Sequence, residues 1–87
     1  MPTVYIPPQI RGLTGGIETI EIRAGSVREI VVQLEERFPG VRDRLCQGDE
    51  LRPGLSVSVG SQISSLGLYQ KVSADAEVHF IPAIGGG

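Results

Sequence analysis

The amino-acid sequence predicts a two-layer α+β domain in which one main helix packs on one face of a mixed sheet. Three observations predict it. Residues 26–38 repeat apolar side chains at helical spacing, shorter stretches alternate apolar and polar side chains, and these strand-like stretches lie on both sides of the helix in the chain. A hairpin followed by a helix and further strands is typical of a helix that crosses one face of a sheet.

The first two strands are predicted to form an antiparallel hairpin. Residues 3–6 alternate and stop at Pro7 and Pro8, and residues 17–23 alternate again. The residues predicted to face the core are Val4, Ile6, Ile17, Ile20 and Ile22. The glycine-containing loop 9–16 indicates a turn, because neither a GxGxxG frame nor a P-loop lysine surrounds its glycines.

Residues 26–38 predict the main helix. Ser26 and Glu29 have the spacing of a capping box, in which each side chain bonds the backbone N–H of the other residue. The apolar face that follows consists of Val27, Ile30, Val31, Leu34 and Phe38. Pro39 and Gly40 end the helix, because proline disfavours the helical conformation of the residue before it. This apolar face predicts packing against the sheet rather than a binding groove.

The second half of the chain predicts the remaining strands. Residues 55–59 alternate with one apolar face, residues 63–71 indicate a short edge strand, and residues 77–81 form the last strand. In that last strand Val78 and Phe80 face one way, and Glu77 and His79 face the other. Pairing is expected to end at Pro82, because proline has no N–H to donate to a neighbouring strand.

Residues 41–54 predict a short irregular or helical turn over 41–48 followed by a polar connection over 49–54. Leu45 and Cys46 are expected to be buried in this turn. Cys46 is the only cysteine, so the sequence offers neither an internal disulfide nor a cysteine-based metal site. We interpret it as a small, partly buried apolar residue rather than a reactive thiol.

Charge and hydropathy exclude several function classes. The net charge of −2 and the scattered arginines argue against nucleic-acid binding, which normally requires a basic face or stripe. No apolar run approaches the length that spans a bilayer, and Met1-Pro2-Thr3 does not begin a secretory signal. We therefore expect a cytoplasmic protein that binds neither nucleic acid nor a membrane.

The last six residues, Pro-Ala-Ile-Gly-Gly-Gly, contain no charged and no hydroxyl side chain. Three successive glycines add nothing to the stability of a fold, because glycine loses the most backbone freedom on ordering. A segment without Cβ atoms can, however, thread a narrow channel. The alternative is a frayed or linker-like end. We divide the chain into a domain over residues 1–81 and an extended tail over residues 82–87, with the carboxylate of Gly87 as the candidate reactive group.

This order of elements and this tail resemble the ubiquitin-like β-grasp proteins of the ThiS/MoaD sulfur-carrier family over nearly the whole chain. The most specific match is residues 80–87, which are similar to the family's final strand, its Pro-Ala or Pro-Val step and its terminal Gly-Gly. Ile6-Pro7, Arg11 and Thr14-Gly15-Gly16 resemble the first loop of CysO-type carriers. The resemblance implies a β-grasp fold with a mixed sheet of four to five strands, one main helix and a flexible C-terminal tail.

The resemblance also implies that the protein is a carrier and co-substrate rather than an enzyme, with no bound cofactor or metal of its own. An E1-like enzyme of the ThiF/MoeB type would use ATP to adenylate Gly87, and sulfide or a persulfide would convert the adenylate to a thiocarboxylate. An acceptor synthase would take the sulfur, and a metalloprotease could process the adduct. The tail residues that would occupy the partner's channel are Pro82, Ala83, Ile84, Gly85 and Gly86.

Ordering six tail residues costs about 6–12 kcal/mol, so the globular body must add docking energy through a surface beside the tail. Candidate residues for this surface are Arg11, His79 and Ile84. We interpret His79 as a solvated strand residue, since the sequence assigns it no carboxylate partner.

Several functions stay open at this point. The sulfur could enter cysteine, molybdopterin, the thiamin thiazole, a thiolated tRNA base or a thiolated natural product, and the CysO-like loop favours cysteine or a related small molecule. A protein modifier joined to lysines through Gly87, or an interaction domain with an inert tail, are the alternatives.

Overall fold

Residues 1–82, which a computed structural model describes, form seven short strands and two helices. The strands and helices are β1 (Thr3–Tyr5), β2 (Thr19–Glu21), α1 (Val27–Arg37), α2 (Val41–Leu45), β3 (Cys46–Gln47), β4 (Glu50–Leu51), β5 (Leu55–Val59), β6 (Gln62–Ser64) and β7 (Glu77–Pro82). Two 3₁₀ turns lie at Pro8–Ile10 and Gly67–Tyr69. None of the helices in this part of the chain is long and apolar enough to span a membrane.

Five of these strands form one mixed sheet in the order β2-β1-β7-β5-β6. The pair β1 and β7 is parallel, and the other neighbours are antiparallel. The predicted hairpin is therefore confirmed, and so is the mixed β-grasp sheet with one main helix. Because β7 pairs with a strand on each side, the last strand of the chain lies in the middle of the sheet.

Helix α1 begins at the predicted cap. The backbone N–H of Glu29 donates to the Ser26 hydroxyl oxygen at 3.3 Å, as expected. The Glu29 carboxylate, however, accepts from the Ser26 hydroxyl at 3.2 Å, where the sequence predicted a bond to the Ser26 backbone N–H. The helix ends before Pro39, and Gly40 takes a φ of 104°, a left-handed conformation that glycine adopts without steric cost.

The core lies between α1 and the inner face of the sheet. The helix contributes Val27, Ile30, Val31 and Leu34, and the sheet contributes Val4, Val57, Val78 and Phe80. These residues were predicted from their spacing, and the structure confirms them. Ile17 was predicted to be buried and is 41% exposed, because β2 begins only at Thr19 and the strand alternation does not extend back to residue 17.

The connection after α2 differs from the prediction. Residues 49–54 contain β4, which pairs with β3 in a separate two-stranded ribbon, Cys46 opposite Leu51. The edge strand predicted over residues 63–71 is only Gln62–Ser64, and a 3₁₀ turn that buries Leu68 follows it. Strands of two or three residues are too short to show a periodicity in the sequence.

Candidate functional site

Strand β7 carries the chain towards the predicted tail. Its pairing with β5 runs from Val59 opposite Val78 to Leu55 opposite Pro82. Pro82, which the sequence analysis placed in the tail, is thus the last described residue of β7. The remaining predicted tail and attachment residues lie outside the described part of the chain: Ala83, Ile84, Gly85, Gly86 and Gly87.

The side of the sheet opposite α1 forms what we call the outer face. Side chains of a strand alternate between the two faces, so the neighbours of the buried core residues point away from the helix. The strand pairing then aligns these outward residues in rows across the sheet. The outer face consists of Thr3, Tyr5, Thr19, Glu21, Ser56, Ser58, Ile63, Glu77, His79 and Ile81.

The middle of the outer face carries an aromatic pair, and isoleucines lie on its edge strand and near the end of β7. The rings of Tyr5 and His79 are stacked, with centroids 4.1 Å apart and planes inclined by 12°. Ile63 is 67% exposed and Ile81 is 36% exposed. Most side chains of this surface are exposed or half-buried, and three of them, Glu77, His79 and Ile81, belong to β7 itself, the strand that leads to the tail.

The far end of the outer face is acidic. Thr3 lies opposite Glu21 of β2 on one side and opposite Glu77 of β7 on the other. Glu77 also lies near His79, with 3.5 Å between its Oε1 and the histidine Nε2. The interpretation that His79 has no carboxylate partner was therefore wrong. The two residues are two positions apart in a strand, so they share a face.

Arg11 lies in the loop that follows β1. Its Nε donates to the carbonyl oxygen of Ile6 at 3.1 Å. The buried Thr14 hydroxyl lies within hydrogen-bond distance of the carbonyl oxygens of Arg11 (3.1 Å) and Ile17 (3.0 Å), which fixes the loop. Because β1 is parallel to β7, this loop leaves the sheet at the same end as Pro82. The structure thus places Arg11 at the tail end of the sheet and His79 in the middle of the outer face.

Cys46 is buried, in agreement with its interpretation as a packing residue. Burial raises the pKa of the Cys46 thiol above its ordinary value of 9.0, and the nearby positive charges of Arg42 and Arg52 oppose this shift only in part. A raised pKa keeps the thiol protonated, and the protonated form is the less nucleophilic one. Its burial and its raised pKa therefore favour a packing role for Cys46.

The shift at Cys46 predicts how stability depends on pH. The folded state has the higher thiol pKa, so this contribution to stability is complete at neutral pH. It begins to be lost as the pH rises through the unfolded value of 9.0 and is gone above the higher folded value. We expect the urea midpoint of the wild type to fall over this range relative to that of Cys46→Ala, which lacks the titrating group. Parallel pH profiles for the two proteins would contradict the assignment.

Residues such as Tyr5, Ile63 and Ile81 were not identified as site residues from the sequence. The alternation in residues 3–6 already placed Tyr5 on the face of the strand away from Val4 and Ile6. This pattern could have identified Tyr5 as a residue of the outer face. The pairing of β7 with β1 and β5 decides that these scattered residues form one surface. Within residues 1–82, no group of three or more His, Cys, Asp or Glu side chains is arranged to hold a metal ion.

No protein-family model and no curated protein sequence matches the chain. Solved structures do. A chain in the crystal structure of the Amycolatopsis orientalis BexX/CysO complex is 31% identical to this chain, with a TM-score of 0.90. The match covers 100% of this chain and 100% of that chain. Mycobacterium tuberculosis CysO, an antigen, is 24% identical with a TM-score of 0.86, over 97% of this chain and 100% of that chain.

The small archaeal modifier protein 1 from Methanosarcina acetivorans is 17% identical with a TM-score of 0.79, over 99% of this chain and 95% of that chain. The two structures below 25% identity establish the shared fold, and the Amycolatopsis chain establishes the relationship. Such neighbours are small carrier proteins rather than enzymes. The chain therefore belongs to the ThiS/MoaD-like family of ubiquitin-fold sulfur carriers and modifiers.

Proposed function

We propose that this protein is a sulfur carrier whose Gly87 carboxylate is adenylated by an E1-like enzyme of the ThiF/MoeB type and then converted to a thiocarboxylate. The observation that carries the proposal is the position of β7. This strand is hydrogen-bonded on both sides and leads from the middle of the sheet into a tail that ends in three glycines. A rigid domain can thereby present a narrow segment without side chains to a partner's channel.

The first chemical step forms a mixed anhydride. A carboxylate oxygen of Gly87 attacks the α-phosphorus of ATP, and pyrophosphate leaves. The adenylate is then attacked at its carbonyl carbon by sulfide or a persulfide sulfur, and AMP leaves. Sulfide gives the thiocarboxylate directly, whereas a persulfide sulfur first gives an acyl disulfide, which a thiol must reduce to release the thiocarboxylate. The partner supplies ATP and the groups that stabilise the transferring phosphate.

Docking of the body offsets the cost of ordering the tail. Since Pro82 already belongs to β7, that cost is about 5–10 kcal/mol for the remaining five residues, which argues for a second contact besides the channel. We assign this contact to the outer face, because it exposes Ile63 and Ile81 around the Tyr5–His79 pair and includes residues of β7. Among the structural neighbours, CysO of Amycolatopsis orientalis was crystallised in a complex with BexX, which gives a precedent for a stable partner.

Further partners follow from the proposed chemistry. An acceptor synthase takes the sulfur from the thiocarboxylate, and a metalloprotease releases the carrier if the product stays attached to Gly87. The synthesis of cysteine or of a related small molecule is the route that we favour, on the similarity of the first loop to CysO-type carriers. We place this chemistry in the cytoplasm, where ATP and reduced sulfur are supplied.

Intact-mass spectrometry of the protein purified from its own cells tests the proposal. We expect a mass gain equal to the exchange of one oxygen for one sulfur, and fragmentation should localise it to Gly87. An unmodified Gly87 that also forms no adenylate with any co-encoded E1-like enzyme would refute a carrier role.

A protein modifier is the alternative, and it would be activated in the same way as a sulfur carrier. The similar fold of the archaeal modifier protein is the reason to test this alternative. A modifier would transfer the activated Gly87 carbonyl to a lysine amine and produce adducts of higher mass on blots against a tagged chain. A domain with an inert tail predicts instead that deletion of Gly86 and Gly87 has no effect in cells.

A further inference from the structure

The arrangement of side chains at the acidic end of the outer face indicates which kind of side chain a partner would place there. Thr3, a small residue, lies between Glu21 and Glu77 in one row of the sheet. Tyr5 and His79 form the next outward row and stack on each other. Two carboxylates and a pair of aromatic rings therefore frame the surface above Thr3.

The two carboxylates attract a cation by charge. Glu21 has no positively charged side chain within 4 Å in the described part of the chain, and Glu77 has only the His79 Nε2 at 3.5 Å. Arg23 lies beyond the end of β2 and forms no ion pair with either glutamate. The row thus keeps negative charge available to a partner.

We propose that the partner that docks on the outer face places a basic side chain, an arginine or a lysine, above Thr3 between Glu21 and Glu77. This inference rests on the proposed function, because it assumes that an activating enzyme docks here. The strand geometry also fixes a distance. Five residue steps along β7 separate Glu77 from Pro82, so the basic side chain lies about 16 Å from the point where the tail leaves the sheet.

This basic side chain would orient the carrier on its partner. An apolar surface alone allows several orientations, whereas a charge contact at one end of the face and a threaded tail at the other allow one. The acidic row would therefore affect how well the carrier is bound more than how fast the bound carrier reacts.

Kinetics with any E1-like enzyme encoded in the same genome test the proposal. ATP–pyrophosphate exchange is measured against carrier concentration for the wild type and for the double variant Glu21→Gln/Glu77→Gln, at low and at physiological salt. We expect KM for the carrier to rise about 10-fold at low salt with kcat within about twofold of the wild type. We also expect the salt dependence of KM to become weaker in the variant.

Glu36→Gln is the matched control, since Glu36 is an exposed glutamate on α1, in the layer opposite to the outer face. Its KM and salt dependence should stay at the wild-type values. Urea midpoints of all variants should agree, because the three glutamates are exposed.

The outcomes separate this inference from the proposed function. If the enzyme adenylates the wild type and the double variant with the same KM and salt dependence, the partner has no basic side chain above Thr3, and the carrier function stands. Since Glu36→Gln removes one charge and the double variant removes two, a rise in KM for the control of about half the size on a logarithmic scale would also overturn the inference, because the effect would then reflect net charge alone. If the wild type is not adenylated, both proposals fail.

Discussion

Replacing Gly86 with alanine should lower the rate of adenylation by about 100-fold, with the fold unchanged. The added Cβ would widen a segment that is proposed to pass through a channel shaped for backbone alone. A displacement of the Gly87 carboxylate by about 1 Å from the α-phosphate of ATP is enough for a loss of this size. Pyrophosphate exchange with the co-encoded E1-like enzyme gives kcat and KM for the two proteins.

Gly25→Ala provides the matched control. Gly25 lies before α1, and a Cβ there would meet only the flexible carboxylate of Glu29 at 3.5 Å, an ordinary contact distance. Its φ is outside the left-handed region, so alanine introduces no backbone strain. The control should be adenylated like the wild type. Equal rates for Gly86→Ala and the wild type would count against threading of the tail.

Replacing Leu34 with alanine should destabilise the domain by about 3 kcal/mol. Leu34 is fully buried on the face of α1 that packs against the sheet, so the substitution leaves a cavity in the apolar cluster that joins the two layers. A domain of this size has a total stability of about 5–10 kcal/mol. The urea midpoint should therefore fall by a large fraction, with the slope of the transition unchanged.

Val32→Ala in the same helix is the comparison for this loss. Val32 is 46% exposed, and alanine is the better helix former, so we expect a change within about 0.5 kcal/mol. Similar losses for the two variants would show that helix propensity rather than packing determines the stability of α1.

Much of the fold was predictable because the residue pattern within each main element shows which of its side chains are buried. The apolar spacing of α1 identified its buried residues, and Ser26 and Pro39 marked its two ends. In β7, the alternation separated the buried Val78 and Phe80 from Glu77 and His79. Each of these predictions needed only residues within one element.

Other predictions failed where the element was short. The alternation of β2 was extended too far back, so Ile17 was placed in the core. The ribbon of β3 and β4 was missed because two residues per strand carry no period. The alternation of β7 also places Glu77 and His79 on one face, so the sequence could have predicted their contact.

The sequence by itself determined that a helix crosses one face of a sheet, which residues of β1, β5 and β7 face the core, and that three glycines follow in the tail after the last strand. The tertiary structure alone decided the order of the strands. By inserting β7 between β1 and β5, it brought Tyr5 against His79 and placed Glu21 and Glu77 on either side of Thr3. The physical reason is that periodicity is a local property, whereas strand order and register depend on hydrogen bonds between segments far apart in the chain.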